Sequence, residues 1–238
     1  MMRLLRYDCS RLARSATFFF ACLATVAAGV VGALICPGYQ CVMALSQAYL
    51  MMIPIAGIVT VFFTVQEFRY GILRSKVTSG FKRNRILCSW MVSLAIISLL
   101  LLAVYGVTVL IVHLLQGSNV LGNATVGSVL VNIVMVYVLM LGYVYLSLLV
   151  AFLSREYESI IIVLFTFFAL AELGLLFERY WAGSPVLLRW IHLVPTSHLR
   201  DSIIRIPESI TVTLVGGGIA VCLVGMFMRA LMRRRNLE

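Results

Sequence analysis

Several stretches of this chain run for about 20 residues or more without a charged side chain, and nothing else restricts its fold so severely. Thr17–Ile35, Ile86–Leu115 and Thr125–Leu153 contain no Asp, Glu, Lys or Arg. A helix of about 20 apolar residues matches the roughly 30 Å hydrocarbon layer of a bilayer, and within it every backbone N–H and C=O finds a partner in its own segment. A chain of 238 residues is too short to bury so many apolar runs in a water-soluble core. The runs also lack the two-residue alternation of a transmembrane barrel. Only 12% of residues are charged, about half of what soluble domains carry. The expected class is an all-α polytopic membrane protein.

Taken in order, Met1–Arg14 places Arg3, Arg6, Arg11 and Arg14 against a single Asp8, interleaved with Leu4, Leu5, Tyr7 and Leu12. This reads as an amphipathic helix on the cytosolic lipid surface, or as a basic flank that orients the next span. No small-x-small cleavage site follows, and Ile35 is too bulky for the lipoprotein signal that Cys36 faintly suggests. Six spans are expected: Thr17–Ile35, Tyr49–Val65 with Pro54 inside it, Ile86–Leu115, Thr125–Leu153, Ser159–Phe177 and Ile210–Met228. Between the last two, Glu178–Glu208 is half apolar, broken by Pro185, Pro195 and Pro207, and suits a re-entrant hairpin or short surface helices. Cys36 and Cys41 are close enough in an outer loop to form a disulfide, whereas the cysteines as a set read as small buried hydrophobes. Residues 1–236 form one transmembrane domain, and Leu237-Glu238 resembles the dipeptide left before a purification tag.

The formal charge of +10 does not point to nucleic acid, because the basic residues gather at the ends of the apolar runs. With both termini inside, the N-terminus, the loop Glu67–Arg85, the turn Ser154–Glu158 and the tail hold fifteen of the nineteen Lys and Arg residues. The other four lie in Glu178–Glu208, where acidic residues nearly balance them. The positive-inside rule therefore favours both termini in the cytosol of a multi-pass protein of the cell membrane.

Catalytic patterns are missing from the sequence. There is no HExxH, no helical histidine pair for heme, no zinc spacing and no phosphate-binding Walker motif, so this chain is not expected to be an enzyme or to hold a cofactor by itself. Glu172, late in the fifth span, is an intramembrane carboxylate that either faces a translocation path or sits paired near the outer interface. Asn132 in the fourth span and His113 at the end of the third read as interhelical glue, with Asn132 also a candidate for the path.

The basic stretch Gln66–Arg85 is the most informative one. If Gly71 ends the helix of the second span, the following residues form a short surface helix. At 100° per residue, Tyr70, Leu73, Val77 and Phe81 line one stripe, expected to rest on the bundle or lipid. Arg69, Lys76 and Arg83 line another, expected to face the cytosol; Arg74 fits neither, and Gly80 ends the helix near Phe81. Such a loop either orients the protein at an anionic leaflet or docks a protein.

Glu67-Phe68-Arg69-Tyr70-Gly71-Ile72-Leu73-Arg74-Ser75-Lys76, followed by Ser79-Gly80-Phe81-Lys82-Arg83, resembles the region after the second span in ABC-2-type transporter permeases. It is most similar to the small bacterial branch linked to bacteriocin, lantibiotic or other peptide export and immunity. In that family a Glu closes the second span, a Gly precedes an apolar-basic step, and a Gly-x-x-Arg follows. Glu67, Gly71, Arg74, Lys76, Gly80 and Arg83 fall on those positions. The resemblance implies a cytosolic coupling helix that fits a separate ATPase subunit, with Arg69, Lys76 and Arg83 making charged contacts and Leu73, Val77 and Phe81 fixing the helix. It also implies two ATP-binding subunits that carry ATP and Mg, and a second copy of this chain or a related permease. The apolar spans suit a peptide or lipid-like cargo. The competing class is a membrane scaffold or immunity protein that acts without an ATPase.

Overall fold

The computed structural model describes residues 2–35, 48–116, 126–169, 218 and 222–230. These residues form helices, some of them joined by short turns, without a β-strand among them. In chain order they are α1 (Met2–Ala13), α2 (Ala16–Ile35), α3 (Ala48–Arg69), α4 (Ile72–Thr78), α5 (Arg83–Leu115), α6 (Val126–Ser154) and α7 (Ser159–Ala169), followed by the helical segment 222–230.

Four helices are long and apolar enough to cross a membrane, with candidate spans at Ala16–Leu34, Met52–Arg69, Arg83–Leu115 and Val136–Ser154. They correspond to the first four expected spans. The second extends to Arg69 rather than stopping at Val65, and the third begins at Arg83 rather than Ile86. At about 1.5 Å per residue, α5 is about 50 Å long, well beyond a hydrocarbon layer. Of the fifth expected span, α7 covers the first part. Phe177 and the rest of that span, the segment Glu178–Glu208, the pair Cys36 and Cys41 and most of the sixth span lie outside the described residues.

The helices pack as a bundle in which α3 lies chiefly against α6, and α2 against α5 and α3. Trp90 of α5 is fully buried at one end, meeting Phe63 and Phe68 of α3 edge-on with ring centroids 6.4 and 6.2 Å apart. Phe68 in turn meets Phe152 of α6 at 5.5 Å. Such aromatic pairs each add about 0.5–1.5 kcal/mol beyond their burial. The outer surface is apolar: Phe19, Phe20 and Leu23 on α2, Leu99 and Leu100 on α5, and Phe165 on α7 are at least half exposed. That is the surface a lipid solvent requires.

Several hydroxyl groups of these apolar helices donate to backbone carbonyls. Thr25, Thr60 and Thr64 each donate to the carbonyl four residues earlier, at 2.7 Å. Tyr137 and Tyr145 of α6 donate to the carbonyls of Ala95 and Met91 on α5, at 3.0 and 3.2 Å. Tyr143 donates to the Val163 carbonyl on α7. Interhelical bonds of this kind average about 0.6 kcal/mol in a membrane protein, so they select a helix register more than they supply stability.

The α3–α6–α7 contact has no room for a side chain at Gly57. A Cβ there would lie 2.9 Å from Tyr143 Cε1 and 3.0 Å from Val163 Cγ1. Gly57→Leu is expected to destabilise the bundle by about 1–3 kcal/mol, the usual penalty of overpacking. A lowered thermal-unfolding midpoint of the detergent-solubilised protein, with helix content retained before the transition, is the expected result; an unchanged midpoint would contradict this packing.

Candidate functional site

The helices meet at the end of the bundle where α3 ends and α5 begins, and α4 is set between them by two glycines. Gly71 has φ +63° and Gly80 φ +84°, left-handed values that favour glycine because a Cβ would crowd the backbone. Gly71 closes α3, its N–H bonding the Phe68 carbonyl at 3.2 Å. Gly80 closes α4 with the paired bonds of a Schellman motif: Phe81 N–H to the Lys76 carbonyl at 3.2 Å and Gly80 N–H to the Val77 carbonyl at 3.0 Å. The seven-residue helix between them is too short to be stable alone. Tertiary contacts must hold it.

One such contact is apolar. Leu73 is buried in the core, and Val77 and Phe81 pack against its edge. The other is ionic. Lys76 Nζ lies 2.7 Å from Asp8 Oδ1 of α1, and 2.9 and 3.0 Å from the two carboxylate oxygens of Glu67 on α3. Its three donors thus meet three oxygens. Asp8 Oδ2 also accepts from the Ser89 hydroxyl of α5 at 2.8 Å. Arg11 Nη1 stands 2.6 Å from Glu67 Oε1 as an ion pair without hydrogen-bond geometry, its guanidinium over the Phe63 ring at 4.9 Å. Asp8 and Glu67 are wholly buried and Lys76 is 7% exposed. Two carboxylates and two cations balance, which makes this burial tolerable.

The expected helix is present, but its basic stripe is not. Lys76 points into the bundle rather than away from it. Tyr70, assigned to the apolar stripe, is instead 74% exposed. The reason is Gly71: its left-handed backbone redirects the chain, so Arg69, the last residue of α3, and Tyr70, in the turn after it, share no projection with α4. Within α4, Leu73, Lys76 and Val77 are spaced i, i+3, i+4 and occupy one face. Arg83 is likewise not part of the short helix but the first residue of α5. Arg69 is exposed, as the outward stripe requires, and so is Arg74, which that projection left unassigned. Asn132 lies on α6 with its side chain outside the described residues, as does Glu172 entirely.

Sequence reasoning passed over Asp8, Arg11, Ser89 and Arg155 as site residues. The available signal was Asp8 itself, a lone carboxylate in a helix otherwise basic. Its face carries Leu4 and Leu12, both buried, so α1 docks on protein, chiefly α5, with its acidic residue turned inward. Arg155 had no comparable signal. It follows α6 in a left-handed conformation, φ 59°, and its guanidinium lies over Phe68 at 5.3 Å. Arg69 lies over Tyr157 at 4.7 Å. Arg69 and Arg155, with Phe68, Arg74 and Arg83, line an open cavity of about 590 Å³.

Removing one member of a buried, balanced charge cluster leaves the others uncompensated, a loss of about 3–5 kcal/mol. Lys76→Ala is expected to lose that much, whereas Arg74→Ala, two residues away and exposed, should stay within about 0.5 kcal/mol of the parent. Thermal unfolding of both variants in detergent checks the contrast; equal midpoints would remove the cluster's structural role.

No curated protein matches the chain. A family model does, over residues 16–231, which takes in the helices from α2 onward and the whole of the α4 region. By that match the chain belongs to the family DUF2705, described as protein of unknown function.

Proposed function

We propose that this chain is the membrane subunit of an ATP-driven exporter of the ABC-2 permease type, moving a peptide or other amphipathic, lipid-like substrate across the cell membrane. The observation that supports this reading most is α4 itself. It is a short helix set between two left-handed glycines, tied to α1 and α3 through Lys76 and to the core through Leu73, with an exposed outer side at Arg74 and Ser75. A transmission element needs this combination: one face held by the bundle and the other open to a partner.

In the proposed complex, six spans per chain and both termini in the cytosol complete the topology. Two copies of this chain, or this chain and a related permease, surround the path, and two ATPase subunits bind beneath them, holding ATP and Mg. Closure of the ATPases pushes on α4. Because Lys76 is bonded to Glu67 on α3 and Asp8 on α1, and Asp8 to Ser89 on α5, the push reaches three helices together. Switching a two-state path almost completely requires about 5.5 kcal/mol of differential binding. Glu172 and Asn132 remain candidates for the path.

Exposed ion pairs contribute little singly, so the apolar anchors of α4 should matter more than any outward basic residue. Leu73→Asp is expected to abolish stimulation of the partner ATPase, Phe81→Ala to reduce it strongly, and Arg74→Ala to change it about twofold or less. The measurement is ATP hydrolysis by the reconstituted complex. Full stimulation with L73D would defeat the docking model, and failure of any ATPase to co-purify would favour a scaffold or immunity protein that works without ATP.

A further inference from the structure

The cavity beside α4 has a composition that the ion cluster does not use. Arg69, Arg74, Arg83 and Arg155 surround a floor that includes Phe68 and Leu73, and no acidic residue lines it. Arg69, Arg74 and Arg155 have no carboxylate partner among the described residues. Two of these guanidiniums are held by aromatic faces, Arg69 on Tyr157 and Arg155 on Phe68. Stacking of this kind limits side-chain freedom and leaves the N–H edge of the fork to bind a planar or tetrahedral oxyanion. The Arg155 Nε is buried and makes no hydrogen bond among the described residues.

We infer that this cavity binds the phosphate headgroup of an anionic phospholipid. Its depth in the membrane selects the lipid over other anions. Arg69 is the last residue of one candidate span, Arg83 the first of another, and Arg155 directly follows a third that ends at Ser154. Three spans therefore place these arginines at the level where phosphates lie, and basic pockets between spans at that level suit anionic headgroups. The volume of about 590 Å³ exceeds what one inorganic phosphate fills, and the apolar floor takes the carbons next to the headgroup. The bound lipid bridges α4 to the turn after α6, two elements not otherwise joined by an ion pair among the described residues. Lipid binding here requires no ATPase, so it stands or falls separately from the transport reading.

The test uses the full chain in nanodiscs of phosphatidylcholine with a minor fraction of phosphatidylglycerol, with lipids retained after detergent extraction counted by native mass spectrometry. Wild type is expected to retain phosphatidylglycerol in preference to phosphatidylcholine. Each arginine removed should weaken retention about fivefold, the usual effect of one basic residue at an anionic surface. Arg74→Ala reads this at an exposed position that does not threaten folding, and Arg69→Gln with Arg155→Asn should lower retention at least about tenfold. Arg14→Gln, exposed and outside the cavity, should leave it unchanged. Equal retention by wild type and the cavity variants would overturn the inference. So would full displacement of the lipid by inorganic phosphate, which would make this a site for a free anion. Protection of the cavity arginines from a guanidinium reagent by a soluble protein, but not by phosphatidylglycerol, would also overturn it in favour of a protein ligand.

Discussion

Four charges at one end of the bundle hold together elements that would otherwise have little reason to meet. Asp8, Arg11, Glu67 and Lys76 come from α1, α3 and α4, and Ser89 adds α5. Coulomb attraction between unit charges about 4 Å apart rises from about 1 kcal/mol in water to about 4 kcal/mol at the effective dielectric of a protein edge. Desolvation opposes that gain, so such a cluster adds little net stability over an apolar core of the same shape. What it adds is specificity. In this placement of α1 and α4 on the bundle, each carboxylate faces a cation.

The rest of the bundle obeys a different constraint. Along the spans there is no water to satisfy a stray polar atom, and the hydroxyls of Thr25, Thr60 and Thr64 turn back on their own helices. Packing then depends on close contact, as at Gly57, and on rings such as Trp90 and Phe68 that carry apolar contact directly up to the charged end. Phe68 touches both regimes, meeting Trp90 and Phe152 edge-on within the core and lying beneath Arg155 at its edge. Its two roles join the rigid bundle to the basic cavity.

Much of this architecture was legible in the sequence. Uncharged runs predicted the four long helices to within a few residues, since burial in lipid leaves a chain no alternative to a continuous helix. Gly71 and Gly80 predicted where α4 begins and ends, because left-handed backbone strongly selects glycine. The direction of Lys76 was not legible. A helical projection treats a basic residue as solvent-seeking, and it does so until a buried carboxylate is known to wait for it. In the sequence Glu67 reads as closing the second span and as part of the segment that docks a partner, not as a buried counter-charge, and Asp8 lies sixty-eight residues from Lys76. The extension of α3 to Arg69 has the same origin: a helix that carries Glu67 can stay buried only where cations arrive from other segments.

The sequence by itself determined that this is a helical membrane protein with its positive charge concentrated at span ends, because hydrophobic length and charge distribution act locally and need no partner. Tertiary structure alone decided which of those charges are spent inside the fold and which remain for a ligand. Lys76 and Arg11 are neutralised by carboxylates from distant helices, whereas Arg69 and Arg155 are laid on aromatic rings. That division depends on distances between segments far apart in the chain, and electrostatic energy is settled by distance and burial rather than by residue type.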